Sequence, residues 1–333
     1  MTAVWGRMRA PQALPEISIA TKAVHTGDFV STHRAVAPGM HMVVNYRYAR
    51  DPERFAPNHN RLEVILRILF GGELITYSTV LSTFHAMMIL LNPKRILIGG
   101  GYHGYHGLID VLNKLTGVQK FDLSDLERLG PGDVVHVETP LNPTGKACNL
   151  AYYSAKAHER GAFLSVEATF APPQLQDPLR FDAHIVVHSG TKYVGAHSDM
   201  LCGILTLHAE RKVLGNVMCS LEGWRGIQSV RTIHLRVMRQ AETDKKMIQW
   251  LYEEMQNPNT VVAKVLDKVQ DASIEHEALK GAWLQKQMPG GFGLVVYVFQ
   301  NVTSLGGVES LMEWRDMSDA ICDKRLLWIS CGV

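Results

Sequence analysis

A chain of 333 residues, 46% of them hydrophobic, can bury one large core and a smaller second one. Its 34 basic and 32 acidic residues leave a net charge of +2 with no long run of either sign, which excludes the footprint of a nucleic-acid binder. The apolar stretch Ala86–Leu91 is far too short to span a bilayer, and Met1–Pro15 has no apolar signal core, so neither membrane nor secretory pathway is expected.

In chain order, residues 1–60 are irregular and rich in Pro, His, Arg and Tyr, as expected of an arm draped over a neighbouring surface. Leu62–Phe70 reads as a helix, Leu74–Tyr77 as a short apolar run, Ser82–Leu91 as a helix and Arg95–Ile98 as a strand. A glycine cluster and a helix through Leu108–Leu115 follow, and Ser124-Asp-Leu-Glu127 has the spacing of a capping box that opens a short helix. Val134–Val137, Phe163–Val166 and Ile185–Val187 are β-branched runs without alternation, the signature of strands buried on both faces of a parallel sheet. The strand–helix succession predicts an α/β fold. Beyond Leu221, a long amphipathic stretch (Val230–Met255) and Gly-rich strands (Gly290–Phe299) predict a separate C-terminal domain. The expected division is an arm at 1–60, a large domain at 61–222 and a C-terminal domain at 223–333. Five cysteines, odd in number and without a CxxC pair, argue against a disulfide framework or zinc site and for a reducing cytoplasmic compartment.

The chemistry concentrates between Phe163 and Gly203. Strand Ile185–Val187 runs into His188-Ser-Gly-Thr-Lys192-Tyr-Val-Gly195, placing a lysine between hydroxyls at a strand end. A lysine in an apolar site can lose its proton and attack an aldehyde, and the Ser189 and Thr191 hydroxyls can donate to a phosphate beside it. Strand Phe163–Val166 ends in Glu167; as a parallel neighbour it would bring that carboxylate to the same carboxyl edge, where open α/β folds bind ligands. A surface lysine and a surface glutamate are the plainer reading of these two residue types taken alone.

Three segments occur in order: Val137-Glu-Thr-Pro-Leu-Asn-Pro-Thr144, Glu167-Ala-Thr-Phe-Ala-Pro-Pro-Gln-Leu-Gln-Asp-Pro178 and His188-Ser-Gly-Thr-Lys-Tyr-Val-Gly-Ala-His-Ser-Asp199. Together with Arg225–Arg236 and Ser304–Ser310 they resemble the trans-sulfuration (Cys/Met metabolism) family of fold-type I enzymes dependent on pyridoxal 5′-phosphate (PLP). The resemblance implies a mostly parallel central sheet in the large domain and a smaller C-terminal α/β domain. It implies Lys192 as the Schiff-base lysine and proton carrier at Cα, with Glu167 facing the pyridine nitrogen and Tyr102 stacked on the ring. Asn142 would bond the phenolic oxygen, and Ser189, Thr191 and Thr79 would bind the phosphate. Tyr48 and Arg50 fit a Tyr-x-Arg pair that reaches the phosphate of a neighbouring subunit, so a homodimer or homotetramer with shared sites and a small amino-acid substrate are expected. The candidate catalytic residues are Lys192 and Tyr102; the candidate substrate contacts are Trp328 and Ser304.

Three departures from the family pattern stand out. Glu167 replaces the usual Asp and is one methylene longer. Thr79-Val80-Leu81 replaces a Ser-Gly-Met phosphate loop, and because valine resists positive φ the loop must be built differently. Trp328 stands where an arginine normally clamps the substrate carboxylate, which indole cannot replace. The wording of Tyr102-His-Gly-Tyr-His-Gly107 and Ser220-Leu-Glu-Gly-Trp224 is similar to a fungal alkaloid-forming branch, and implies a Cα carbanion that closes a ring by a Mannich-type carbon–carbon bond. The alternative is γ-substitution or elimination on an O-acylhomoserine-like substrate. Gly99-Gly-Gly-Tyr-His-Gly104 also satisfies a dinucleotide-binding pattern, but such a match alone is weak. His103 and His106 lack the carboxylate or thiol neighbours of a metal site.

Overall fold

The computed structural model describes residues 18–26, 60–206, 216–274, 283–291, 310–314 and 327–331. Helix α1 (Ile19–His25) is followed by α2 (Asn60–Phe70), β1 (Ile75–Tyr77), α3 (Val80–Leu91), β2 (Arg95–Ile98), α4 (His103–Thr116), β3 (Gln119–Phe121), β4 (Val134–Glu138), α5 (Leu150–Glu159), β5 (Phe163–Glu167), β6 (Ile185–Ser189) and β7 (Gly203–Thr206). Helices Ser220–Val230 and Ile233–Met255 come next, and β8 (Leu311–Trp314) pairs antiparallel with β9 (Leu327–Ser330).

The seven-stranded sheet has the order β1-β7-β6-β5-β4-β2-β3. β7 runs antiparallel to both its neighbours, and the other adjacent pairs are parallel. This is the α/β class expected, with both faces covered. The pleat explains the sorting of residues. Ile96, Ile98, Val134, Ile185 and Val187 pack with Phe84, Met87, Tyr105, Ile109 and Leu112 of α3 and α4. The intervening Leu97, Val135, Val137, Leu164, Val166 and Val186 pack with Leu150 and Ala157 of α5 on the other face. A third cluster joins α2 to the helices after residue 220 through Leu62, Leu66, Ile227, Val230 and Val237.

Two expectations change. Within the supposed irregular arm, α1 is a regular helix capped by Ser18, whose side chain accepts from the Thr21 amide, and its Ala23 is buried in the cluster that includes α2. The capping box at Ser124 does not form: Asp122 Oδ1 accepts from both the Ser124 amide (2.9 Å) and hydroxyl (2.8 Å), leaving a single 3₁₀ turn at Leu126–Arg128. The amphipathic stretch Val230–Met255 is the helix Ile233–Met255, with Val230 closing the preceding helix and Arg231 and Thr232 lying between the two. The Gly290–Phe299 strands were expected from Gly290 onward; Gly290 lies in a turn, and residues 292–299 lie outside the described residues. Among the described residues no helix is long and apolar enough to cross a membrane.

Candidate active site

The parity that sorts the sheet also builds the site. Counting back along the pleat, Glu138, Glu167 and Ser189 share the α3/α4 face, and each is the last residue of its parallel strand. Glu138 pairs in register with Glu167. Two buried carboxylates and a hydroxyl therefore meet at the carboxyl edge, under the N-termini of α3 and α4.

They line a cavity of about 420 Å³ with Thr79, Tyr102, Asn142, Thr191 and Lys192, so the seven sequence candidates that lie within the described residues 60–206 face one space. Leu81, Phe170 and Leu201 give it an apolar wall. Tyr48, Arg50 and Ser304 lie outside the described residues. The Trp328 backbone pairs with Glu313 in the two-stranded sheet, and its side chain lies outside what is described.

Glu167, 4% exposed, has both oxygens engaged: Oε2 accepts a short hydrogen bond from the Tyr105 hydroxyl, and Oε1 accepts from the Thr169 amide at 3.0 Å. Burial pushes its carboxyl up to about 7, the two donors pulling the other way. Glu138 is a girder. Its Oε2 accepts from the Tyr102 amide and its Oε1 from the Asn142 amide, both at 2.9 Å, so one carboxylate positions two cavity walls. Gly101, at φ +132°, is required here, since a Cβ would overlap Glu138 Oε2.

Lys192 sits on a turn tied at both ends. Its amide donates to the Ser189 carbonyl at 3.2 Å and its carbonyl accepts from the Ala196 amide at 2.7 Å. Behind the turn, the buried Arg236 guanidinium donates to the Tyr193 carbonyl (2.8 Å) and the Ser229 carbonyl (2.9 Å). The Ser189 amide donates to Thr169 Oγ1 at 2.6 Å, joining β6 to the loop after β5.

The phosphate-type candidates differ in how they are engaged. Thr79 is the N-cap of α3, its hydroxyl accepting from the Ser82 amide at 3.1 Å. Val80 and Leu81 are thus the first helical residues, which is how a loop without glycine is built there. The Thr191 hydroxyl accepts from the Cys202 amide at 3.1 Å. A helix N-terminus with Ser78, Thr79 and Ser82 hydroxyls beside it favours an anion. Asn142 carries a buried side-chain oxygen without a hydrogen-bond partner, an unsatisfied polar group of the kind a ligand completes. The arrangement suits a flat ligand with an N–H for Glu167, a polar ring substituent for Asn142 and an anionic end at α3.

Sequence reasoning missed Tyr105, Glu138 and Thr169. Glu138 and Thr169 lie inside the quoted motifs, and Tyr105 lies three residues after Tyr102, a helical spacing that places it on the buried face of α4. Among the described residues no group of three or more His, Cys, Asp or Glu side chains could hold a metal ion.

Residues 18–321 match the family of Cys/Met metabolism PLP-dependent enzymes. The chain is 27% identical to the cystathionine γ-lyase of Saccharomyces cerevisiae, over 88% of this chain and 85% of that protein. It is 28% identical to a cystathionine β-lyase of Lactococcus lactis, over 89% and 87%. The solved structure of a methionine γ-lyase from Micromonospora echinospora superimposes with a TM-score of 0.80 at 26% identity, covering 95% of both chains. With a match spanning nearly its whole length and a fold shared with these enzymes, the chain belongs to the Cys/Met metabolism family of PLP-dependent enzymes.

Proposed function

We propose that this enzyme catalyses elimination or γ-substitution on a small amino acid of the O-acylhomoserine or cystathionine type. The observation that carries the reading is the meeting of Lys192, Tyr102, Glu167 and Asn142 in one cavity, in a chain whose relatives over nearly its full length are cystathionine lyases. The ring-closing Mannich reaction implied by the Tyr-His-Gly-Tyr-His-Gly wording has no counterpart among these relatives, so the alternative takes precedence.

Lys192 Nζ would carry the cofactor, Glu167 would face its ring nitrogen, Tyr102 would cover the ring and Asn142 would face the phenolic oxygen. Thr79, Ser189 and Thr191 would receive the phosphate at the start of α3. PLP, when bound, supplies the electron sink that stabilises negative charge at the substrate Cα. The chain's own task is to hold the amino acid against the apolar wall of Leu81, Phe170 and Leu201 and to move protons. Lys192 Nζ takes the proton from Cα and returns it, and the Tyr102 hydroxyl is the second group at hand for the leaving side chain.

Support for a boundary near 222 comes from the cavity: its lining residues fall between Thr79 and Leu201. We assign 61–222 to the cofactor-binding unit and 223–333 to the C-terminal unit. The arm, 1–60, would deliver Tyr48 and Arg50 to a neighbouring subunit in a homo-oligomer. Among the described residues Cys148, Cys202, Cys219 and Cys331 are free thiols, which suits a reducing cytoplasmic compartment.

The test is to incubate the PLP-loaded protein separately with cystathionine, methionine and O-acetylhomoserine plus a thiol. Release of a 2-oxo acid, or a thioether product with the last, is expected. No turnover of any of the three, with a carbon–carbon-bonded cyclic product from an amino acid bearing a cyclic amine, would reverse the preference.

A further inference from the structure

The ring of Tyr105 is locked on three sides. It stacks on Phe84 at 4.3 Å between centroids and 22° between planes. Its edges meet His136 at 5.2 Å and 89°, and Tyr102 at 5.2 Å and 86°. For that packing a phenylalanine would serve as well, since the contacts involve ring faces and edges. The hydroxyl must be explained separately, and its partner is Glu167 Oε2. The carboxylate it holds sits on a side chain with three rotatable torsions, and Thr169 fixes only the other oxygen.

We propose that Tyr105 is a positioning residue for the cofactor's ring: its locked hydroxyl pins the Glu167 carboxylate, fixing where that carboxylate meets the ring nitrogen. The inference rests on the assignment of Glu167 to that nitrogen. Because Tyr105 belongs to α4 and Glu167 to β5, the bond also ties the helix that begins beside Tyr102 to the sheet. Burial and the adjacent Glu167 carboxylate hold the phenol well above its usual range, so it stays a donor at all working pH values. The other titratable groups around the pair are Glu138 and His136 from β4, Tyr102 at the start of α4 and Lys192 beyond β6. His136, pushed down to about 3 by burial, stays neutral.

The experiment compares Tyr105→Phe, Glu167→Asp, Glu167→Gln and the Tyr105→Phe/Glu167→Asp double variant. Two quantities are read on the loaded proteins: the dissociation constant for PLP, and the pH midpoint of the bound cofactor's absorbance. Loss of a hydrogen bond to a charged group predicts about tenfold or greater weakening of PLP binding in Tyr105→Phe, with the midpoint displaced. The effects of Tyr105→Phe and Glu167→Asp should not add, because the shorter Asp already draws the carboxylate away from the phenol. Binding within about twofold of the parent with an unchanged midpoint in Tyr105→Phe, while Glu167→Gln binds far more weakly, would overturn the proposal and leave the Glu167 assignment standing. Additive losses in the double variant would also overturn it, marking Tyr105 as a packing residue. Parental affinity and midpoint in Glu167→Gln would instead refute the assignment on which the proposal rests.

Discussion

Glu138→Gln exchanges one heavy atom and should loosen two walls of the cavity. In the parent, Oε2 accepts from the Tyr102 amide and Oε1 from the Asn142 amide, each at 2.9 Å, on a side chain 7% exposed. Glutamine has the same shape but only one acceptor; its NH₂ must face one of the two backbone N–H groups. The variant therefore loses one charge-assisted bond and leaves a buried donor unsatisfied, and the bond that remains becomes neutral. The loss comes to about 3 kcal/mol, a large part of a typical total near 5–15 kcal/mol. Urea denaturation of the cofactor-free protein reads that loss as a lower midpoint at unchanged slope. Equilibrium dialysis with PLP should show weaker binding as well, because Tyr102 and Asn142 both line the cavity. A midpoint shift worth less than about 0.5 kcal/mol, with parental PLP affinity, would refute the view that Glu138 holds the two walls.

Glu167 gives a pH prediction. Its folded carboxyl lies at about 7 against an ordinary 4.5, so the folded state holds the proton more tightly. Its contribution is therefore harmless below about 4.5 and costs stability progressively as pH rises to about 7, by about 3 kcal/mol at ~1.4 kcal/mol per pH unit. Cofactor-free Glu167→Gln should gain on the parent over that window in urea melts, and parallel pH curves would count against it. Subunit sharing predicts that inactive Arg50→Ala and inactive Lys192→Ala proteins regain part of the activity when mixed under conditions of verified subunit exchange. No recovery would mean that each site is complete within one subunit.

The parallel strands were legible because their β-branched runs lack alternation, and the helices α2 and α3 because they are long and apolar. Two short strands were not. β3 (Gln119–Phe121) has two exposed residues of three, and β7 (Gly203–Thr206) begins with a glycine that is required because a Cβ would overlap the Thr79 carbonyl. Helix α5 announces itself only by Asn149, whose side chain accepts from the Tyr152 amide. The site was legible where a motif ends a strand, as at Glu167 and Ser189. Tyr105 was not, because its partner lies 62 residues away and pairing across the sheet is not written in local spacing. Likewise, the Ser124 capping-box pattern was real as spacing, but the nearer Asp122 carboxylate captured the serine.

Everything proposed for the site depends on Lys192 holding the cofactor. Borohydride reduction of the PLP-loaded protein, followed by proteolysis and mass spectrometry of the peptides, tests it most directly. A pyridoxyl group is expected on the peptide that contains Ser189-Gly-Thr-Lys192-Tyr, at one per chain. A pyridoxyl group on any other lysine in place of Lys192, or none on a protein shown to contain bound PLP, would contradict it.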